Sequence, residues 1–167
     1  MGRKFPVFLD ISNKKICIYG AGRIASRRAE TLLAFAPSLH VFAPEASTWI
    51  LRAAEKEKLI YKKEAYEPGG IPGDTWMVLA ATDDHTVNEQ IGKECREKGI
   101  LVNVSSDRNL CDFDFPGVAV KENLVIGINA GGQNHRLARE WTERIRKEVD
   151  TDGYGDQAET SSDDGES

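Results

Sequence analysis

Cysteines and long apolar runs are scarce in this sequence, and each shortage excludes a class of protein. The 167 residues include three cysteines, Cys17, Cys95 and Cys111, which form no CxxC pair. This usage fits neither a disulfide framework nor a zinc ribbon, so a reducing compartment is the simplest expectation. No segment approaches the roughly 20 apolar residues of a membrane span, and Asp10 interrupts the N-terminal segment before any signal-peptide core. We therefore expect a cytoplasmic protein that does not contact membranes.

A strong basic excess is also missing. The net charge is −5, but residues 151–167 hold six acids and no Lys or Arg, which leaves +1 on residues 1–150. A nearly neutral body argues against a nucleic-acid surface. The tail of residues 151–167 is rich in Gly, Ser, Asp and Glu and has little to bury, so we predict that it is disordered.

Short apolar runs alternate with amphipathic helical patterns through the first two thirds of the chain. Strands are predicted at 15–19, 39–43, 59–63, 76–81 and 100–104, and helices at 24–36, 49–58 and 86–98. This alternation predicts right-handed crossovers and a parallel, doubly wound α/β sheet over residues 1–114. After Pro116 the pattern changes to a hairpin at 118–128 and a helix with an apolar stripe from Leu137 to Val149. We expect residues 115–150 to form a separate small segment.

One glycine-rich motif lies directly after the first predicted strand and opens the first predicted helix. It reads Gly20-Ala21-Gly22-Arg23-Ile24-Ala25. In such a pattern Gly20 permits a tight turn, Gly22 lets a phosphate approach the backbone, and Ala25 packs the helix on the sheet. Free N–H groups in the first turn of the helix then form an anion site for a pyrophosphate. The motif predicts a dinucleotide site at residues 20–24, and an ordinary glycine-rich turn without a ligand is the alternative.

The end of the second predicted strand bears on which dinucleotide binds. An acidic residue at this place commonly bonds the ribose 2′-hydroxyl. The sequence has Ala43, Pro44 and Glu45 here, and no Arg nearby that could hold a 2′-phosphate. This arrangement favours NAD over NADP.

A polar run, Thr82-Asp83-Asp84-His85, follows the fourth predicted strand. Ligands bind at the carboxyl edge of such sheets, so Thr82 and Asp83 are candidate neighbours of the cofactor. Alternatively, Thr82 or Asp83 caps the helix that begins near Thr86. His85 has no distant partner that would complete a metal site, so we predict a surface position for it and no metal.

Several segments, weak singly, are specific when taken together in order. They are FPVFLDISNKKICIYGAGRIASRRAETLL, VFAPE, LAATDDHTVN, LVNVS, CDFDFPG, INAGG and LARE, within about residues 5–147. In this combination the chain resembles the precorrin-2 dehydrogenases of sirohaem synthesis. The resemblance implies a Rossmann-like domain with Asn103 among its NAD-binding residues, followed by a dimerisation segment. It also implies a homodimer that oxidises precorrin-2 to sirohydrochlorin with NAD.

Two positions depart from the family pattern. The family's NVxD element carries an Asp proposed as the acid/base group, and that place falls on Ser106, with Asp107 one residue later. Both are candidate catalytic residues, although a serine cannot be the base near neutral pH unless something deprotonates it. The alternative for Asp107 is an ordinary solvated turn residue. The family's Ser-Ser-Gly-Gly and Ser-Pro elements are also replaced, in residues 129–135.

The tetrapyrrole that the resemblance implies as substrate is a polycarboxylate, which arginine forks bind well. Arg136 and Arg139 follow a glycine-rich segment, and we expect them to contact the substrate together with Asn129 and Gly131. Two other functions stay open. One is a dinucleotide- and tetrapyrrole-binding or sensing module with weakened catalysis, which Ser106 would permit. The other is a chelatase that inserts metal into sirohydrochlorin.

Overall fold

The computed structural model describes residues 4–36, 38–131 and 134–151. Contacts divide the described residues into two compact units. The first unit is Val7–Phe115, and the second combines the described residues before Val7 with those from Pro116 onward. The predicted disordered tail lies outside the described residues, apart from Thr151 at the end of the last helix. No helix among the described residues has the length and apolar character needed to cross a membrane.

Five parallel strands and three helices form the first unit. In chain order they are β1 (Lys15–Tyr19), α1 (Arg23–Leu32), β2 (Ser38–Phe42), α2 (Thr48–Glu55), β3 (Ile60–Lys62), β4 (Thr75–Ala80), α3 (His85–Lys98) and β5 (Leu101–Val104). The strand order is β3-β2-β1-β4-β5, with parallel pairing throughout. This confirms the predicted doubly wound α/β architecture. The order reverses between β1 and β4, where folds of this type bind ligands at the carboxyl edge.

The two faces of the sheet are covered differently. On one face Ala25 and Ala29 of α1 and Ile50 of α2 are fully buried against the sheet. On the other face Ile91 and Cys95 of α3 pack on the central strands. The crossover from β3 to β4 has no helix, and residues 63–74 cover this face as a loop. All three cysteines are free, as their spacing predicts.

Two helices end earlier than predicted. α1 ends at Leu32 rather than near residue 36, because the amides of Ala34 and Phe35 bond only three residues back, to the carbonyls of Thr31 and Leu32, and tighten the last turn. α2 ends at Glu55, and Glu57 adopts a positive φ of 55°. The amides of Glu57 and Lys58 donate to the carbonyls of Ala54 and Ala53, the bonds of a Schellman motif. Both endings depend on backbone bonds that apolar spacing does not reveal.

The second unit contains the predicted hairpin and helix. Strands β6 (Gly117–Lys121) and β7 (Leu124–Ile128) are antiparallel, and α4 spans His135–Thr151. An added Cβ on Gly117 would overlap the Thr142 side chain, so this glycine allows α4 to pack closely on β6. In the described part of this unit, five large apolar side chains are exposed, namely Phe5, Val120, Leu124, Leu137 and Trp141.

Candidate functional site

A cleft of about 600 Å³ opens at the carboxyl edge of the sheet. Most of its lining residues lie at the ends of β1, β2 and β4 or in the turns that follow, and two belong to the loop between β3 and β4. The lining residues are 19–22, 42–47, 65–66, 81–84 and Val87. The structure therefore brings together the predicted cofactor residues Gly20, Ala21, Gly22, Ala43, Pro44, Glu45, Thr82 and Asp83.

Three predicted cofactor residues do not line this cleft. Arg23 and Ile24 belong to the first turn of α1, and both side chains are exposed. Asn103 is buried in β5, where its Nδ2 donates to the Phe113 carbonyl at 2.8 Å. Its Oδ1 has no hydrogen-bond partner among the described residues. A direct contact between these three side chains and the cofactor stays a prediction.

Gly20 is required by the turn after β1. Its φ is 101°, and an added Cβ would overlap the Ala81 carbonyl oxygen. Its amide donates to the Phe42 carbonyl at 2.9 Å. The turns after β1, β2 and β4 therefore meet closely at this residue, as the tight-turn interpretation of the motif predicts.

Gly22 has the opposite environment. It is the N-cap of α1, no side chain caps the helix, and an added Cβ would have no atom within 4 Å. The first amides of a helix have no partner within the helix, and the helix dipole favours an anion beside them. The space beside Gly22 therefore suits a phosphate that approaches the backbone.

Ser47 joins the first turn to α2. Its amide donates to the Ala21 carbonyl at 3.0 Å, and its hydroxyl lies 2.8 Å from that of Ser26 in α1. The same hydroxyl caps α2 by accepting from the Ile50 amide at 3.3 Å. We did not single out Ser47 in the sequence, although a serine before a helical pattern is a usual capping signal.

Glu45 supplies the acid at the end of β2. It is exposed and lines the cleft next to Ala43, whose carbonyl accepts a bond from the Tyr61 hydroxyl at 2.9 Å. None of the described residues that line the cleft is a Lys or an Arg. A carboxylate in a lining without cationic side chains suits a ribose hydroxyl better than a phosphate.

The cap of α3 differs from the prediction. Asp84, rather than Thr82 or Asp83, is the N-cap, and its Oδ1 accepts from the amides of Thr86 and Val87 at 2.8 and 3.3 Å. Thr82 does not cap the helix, and its hydroxyl instead donates toward Asn88 Oδ1 and the Asp84 carbonyl. His85 is exposed, as predicted. In the described part of the chain, no three His, Cys, Asp or Glu residues are grouped so that they could hold a metal ion.

Asn88 connects the turn after β4 to the turn after β5. Its side chain is fully buried, and its Oδ1 accepts from the amide and the hydroxyl of Thr82 at 3.0 and 2.8 Å. Its Nδ2 donates to the Thr82 carbonyl at 3.0 Å and to Ser106 Oγ at 3.3 Å. The sequence alone does not point to Asn88, because a polar side chain in a helical pattern gives no signal of a distant partner.

Asp107 caps a short 3-10 helix, Arg108–Leu110. Its Oδ1 accepts from the Asn109 amide at 2.8 Å. Asp107 and Ser106 are both half-buried, and neither lines the cleft of residues 19–87. The bond to Asn109 fits the interpretation of Asp107 as a turn residue. Because this bond uses Oδ1 and not Oδ2, it does not exclude a catalytic role for Asp107, which stays a prediction.

Tyr66 belongs to an aromatic cluster that forms another side of the cleft. Tyr19 stacks on Phe42 with ring centroids 5.0 Å apart, and Tyr66 meets Tyr19 edge-on at 5.5 Å. The Tyr66 hydroxyl donates to Glu94 Oε2 at 2.7 Å. Burial, together with the adjacent Glu94 carboxylate, raises the pKa of Tyr66, so its hydroxyl keeps its proton.

Glu94 is a buried carboxylate that holds the loop between β3 and β4. Besides Tyr66, it accepts from the amides of Gly69 and Ile71 at 2.9 and 3.1 Å, and from Lys98 Nζ at 2.6 Å. Burial alone would raise the pKa of Glu94, but the bonds from Lys98, Tyr66 and the two amides outweigh it and lower the pKa. Glu94 is therefore charged and fully bonded near neutral pH.

The predicted substrate residues lie in the second unit. Arg136 Nε pairs with Glu140 at 2.7 Å and Arg139 Nε with Glu143 at 2.8 Å, both on the exposed surface of α4. Asn129 Oδ1 accepts from the Gly131 amide at 2.8 Å. Two residues of the divergent segment 129–135, Gly132 and Gln133, lie outside the described residues.

Comparisons with known proteins identify the family of the chain and its relatives. An NAD(P)-binding family model, NAD_binding_7, matches residues 7–117. A protein of Ruminiclostridium josui named "Probable multifunctional siroheme biosynthesis protein HemA" is 33% identical over 145 residues, which are 86% of this chain and 28% of that relative. A siroheme synthase of Psychrobacter cryohalolentis is 36% identical over 153 residues, 90% of this chain and 28% of that relative. The chain thus spans less than a third of these curated relatives.

A solved structure shares the fold. SirC, described as a precorrin-2 dehydrogenase, superimposes with a TM-score of 0.75 at 22% identity, over 87% of this chain and 70% of that chain. This match shows the fold that the motifs imply. The named relatives confirm the resemblance to proteins of siroheme biosynthesis. Because the family model covers residues 7–117, the chain belongs to the NAD(P)-binding family that it describes.

Proposed function

We propose that this chain is an NAD-dependent dehydrogenase that oxidises precorrin-2 to sirohydrochlorin. The observation that carries the proposal is the uncapped N-terminus of α1 beside Gly22, at the edge of a cleft where the strand order reverses. The resemblance of the motifs to precorrin-2 dehydrogenases and the similarity to siroheme synthases supply the substrate.

The described residues fit the proposed cofactor. The first amides of α1 and the open space at Gly22 receive the pyrophosphate, and Glu45 bonds the ribose hydroxyls. The absence of Lys and Arg among the described lining residues favours NAD over NADP. When bound, NAD⁺ supplies the acceptor for a hydride.

The second unit is proposed to bind the substrate and a second copy of the chain. Arg136 and Arg139 are exposed, and solvent screens exposed ion pairs within a helix, so these pairs contribute little. Each guanidinium can therefore leave its glutamate for a substrate carboxylate at little cost. Asn129 and Gly131 complete the proposed substrate site. The exposed Val120, Leu124, Leu137 and Trp141 support a homodimer, and the free cysteines suit the cytoplasm.

The oxidation removes a hydride and a proton from the tetrapyrrole. Bound NAD⁺ would accept the hydride, and a base or solvent would take the proton. Ser106 carries no carboxylate, so Asp107 is the proposed base. A positioned base contributes about 10²- to 10⁴-fold, whereas holding the reactants in register can contribute about 7 to 11 kcal/mol. Orientation alone therefore supports a slow reaction.

The cofactor site is tested by Gly22→Asp. We expect this variant to lose NAD⁺ binding in calorimetry, because the new carboxylate repels the pyrophosphate. Its fold should be retained, since the added side chain has open space and Asp is a favourable N-cap. Gly73→Asp is the matched control, with the same change of charge at an open position away from the cleft. Unchanged NAD⁺ binding by Gly22→Asp would remove the proposed site.

The reaction is tested by single-turnover absorbance with precorrin-2 and NAD⁺. Formation of NADH and sirohydrochlorin in equal amounts supports the dehydrogenase. Binding of both ligands without NADH identifies a binding or sensing module instead. Addition of ferrous ion afterwards tests the chelatase.

A further inference from the structure

The buried side chain of Asn88 determines how two hydroxyl groups can bond to a ligand. Its amide orientation is fixed by the backbone of Thr82, because the Thr82 N–H can only donate and the Thr82 carbonyl can only accept. The oxygen of Asn88 therefore lies 3.0 Å from that amide, and its nitrogen lies 3.0 Å from that carbonyl.

This orientation makes Ser106 an acceptor toward Asn88. Asn88 Nδ2 has no lone pair to offer, so at 3.3 Å it donates to Ser106 Oγ. Among the described residues, Ser106 Oγ has no other hydrogen-bond partner. The hydroxyl proton of Ser106 consequently remains available to an incoming group.

The hydroxyl of Thr82 has the opposite polarity. Its two neighbours are Asn88 Oδ1 at 2.8 Å and the Asp84 carbonyl at 3.0 Å, and neither can donate. The Thr82 proton is therefore engaged, and only its lone pairs remain for a ligand. The buried amide of Asn88 thus leaves the Thr82 hydroxyl after β4 as an acceptor for a ligand and the Ser106 hydroxyl after β5 as a donor.

We infer that Asn88 is a positioning residue that keeps the Ser106 hydroxyl free as a hydrogen-bond donor to an oxygen of the bound ligand. The inference rests on the proposed function, and it gives Ser106 a role that needs no carboxylate. The acceptor is a carbonyl or carboxylate oxygen, which either the carboxamide of the cofactor or an acidic side chain of the tetrapyrrole can supply.

Ser106→Ala distinguishes these two sources. A lost bond to a neutral carbonyl should weaken NAD⁺ binding about 2- to 10-fold in calorimetry, whereas a lost bond to a carboxylate should raise the KM for precorrin-2 by about 10-fold or more. Ser106→Thr keeps the hydroxyl and should restore the affected constant. The inference is overturned if Ser106→Ala changes neither constant by more than about twofold, or if Ser106→Thr is as impaired as Ser106→Ala.

Asn88→Asp tests the positioning role. It keeps an oxygen for the Thr82 amide but replaces the donor nitrogen with an acceptor, to which Ser106 then donates. Because the same nitrogen also bonds the Thr82 carbonyl, we expect at least the loss seen in Ser106→Ala, in the same constant. Adding Ser106→Ala to Asn88→Asp should cause no further loss. Losses that add would show that Asn88 acts independently of Ser106. Asn109→Ala is the control, because it removes an exposed amide near Ser106 that makes no side-chain bond to it.

A measurement without ligands separates this inference from the proposed function. In ¹⁵N-labelled protein, Ser106→Ala should move the side-chain amide resonance of Asn88, because one of its N–H groups loses its acceptor. An unmoved resonance would overturn the inferred polarity even if the chain oxidises precorrin-2. Failure of the unmodified chain to bind NAD⁺ would instead reject the proposed function.

Discussion

The cleft has two sides that are built in different ways. One side, the glycine wall, comprises residues 20–22 and 43–47, and backbone bonds between neighbouring turns hold it. The other, the tyrosine wall, comprises Ala65 and Tyr66 on the loop between β3 and β4. This loop has no regular structure, and the side chain of Glu94 holds it from α3.

The difference between the two walls shows what holds the crossover from β3 to β4, which has no helix. In the crossover from β1 to β2, α1 covers the sheet with apolar side chains and positions the glycine wall. In the crossover from β3 to β4, four donors converge on one buried carboxylate, from Tyr66, Gly69, Ile71 and Lys98. Burying a charge is costly unless it is fully bonded, so this wall depends on every one of those bonds.

The largest expected effect comes from Gly20→Ala in the glycine wall. The new Cβ would overlap the Ala81 carbonyl, and the positive φ of 101° adds strain of about 1 to 2 kcal/mol. We expect unfolding by urea to show a loss of about 3 kcal/mol or more. Gly22→Ala, which has open space, should lose no more than about 1 kcal/mol. Equal losses at the two glycines would contradict the tight contact at Gly20.

The two walls also differ in how far the sequence predicts them. Residues 20–22 of the glycine wall follow from local pattern, because the strand, the GxGxxA motif and the next helix lie within residues 15–32. Tyr66 and Glu94 are 28 residues apart, and no periodicity links a tyrosine in a loop to a glutamate in a helix. The link between Asn88 and Ser106 was missed for the same reason. Thr82 was misassigned as a possible cap because its bond to Asn88 is not a local signal.

Glu94→Gln tests the tyrosine wall directly. A glutamine amide would place an NH₂ group among donors, so at least one buried donor loses its acceptor, at a cost of about 2 to 3 kcal/mol. NAD⁺ affinity should fall as well, because Tyr66 is no longer fixed. Glu97→Gln is the matched control on the exposed surface of α3 and should stay within about 0.5 kcal/mol of the unmodified chain. A Glu94→Gln variant as stable as this control would show that the wall does not depend on the carboxylate.

The contribution of Glu94 should also depend on pH. Its pKa is lower in the folded chain than the value of about 4.3 expected when unfolded, since its hydrogen bonds outweigh burial. The stabilisation is therefore present above the unfolded pKa and is lost as pH falls through the folded pKa. Urea unfolding of the unmodified chain and of Glu94→Gln should differ by a constant amount from pH 7 to about pH 5.5, and by less at lower pH. A difference that grows in acid would reverse the assigned direction.

The smallest expected effects come from Tyr66 in the tyrosine wall and from Tyr61, whose hydroxyl bonds to the glycine wall. Tyr66 donates to the charged Glu94, whereas Tyr61 donates to the neutral carbonyl of Ala43 in the glycine wall at 2.9 Å. Bonds to charged groups contribute about 1.5 to 3 kcal/mol and neutral ones about 0.5 to 1.5 kcal/mol. Tyr66→Phe should therefore destabilise the chain more than Tyr61→Phe in urea unfolding. An equal loss of unfolding free energy in Tyr61→Phe and Tyr66→Phe would contradict the comparison. It would show that side-chain hydrogen bonds stabilise the turns of the glycine wall as much as they stabilise the loop of the tyrosine wall.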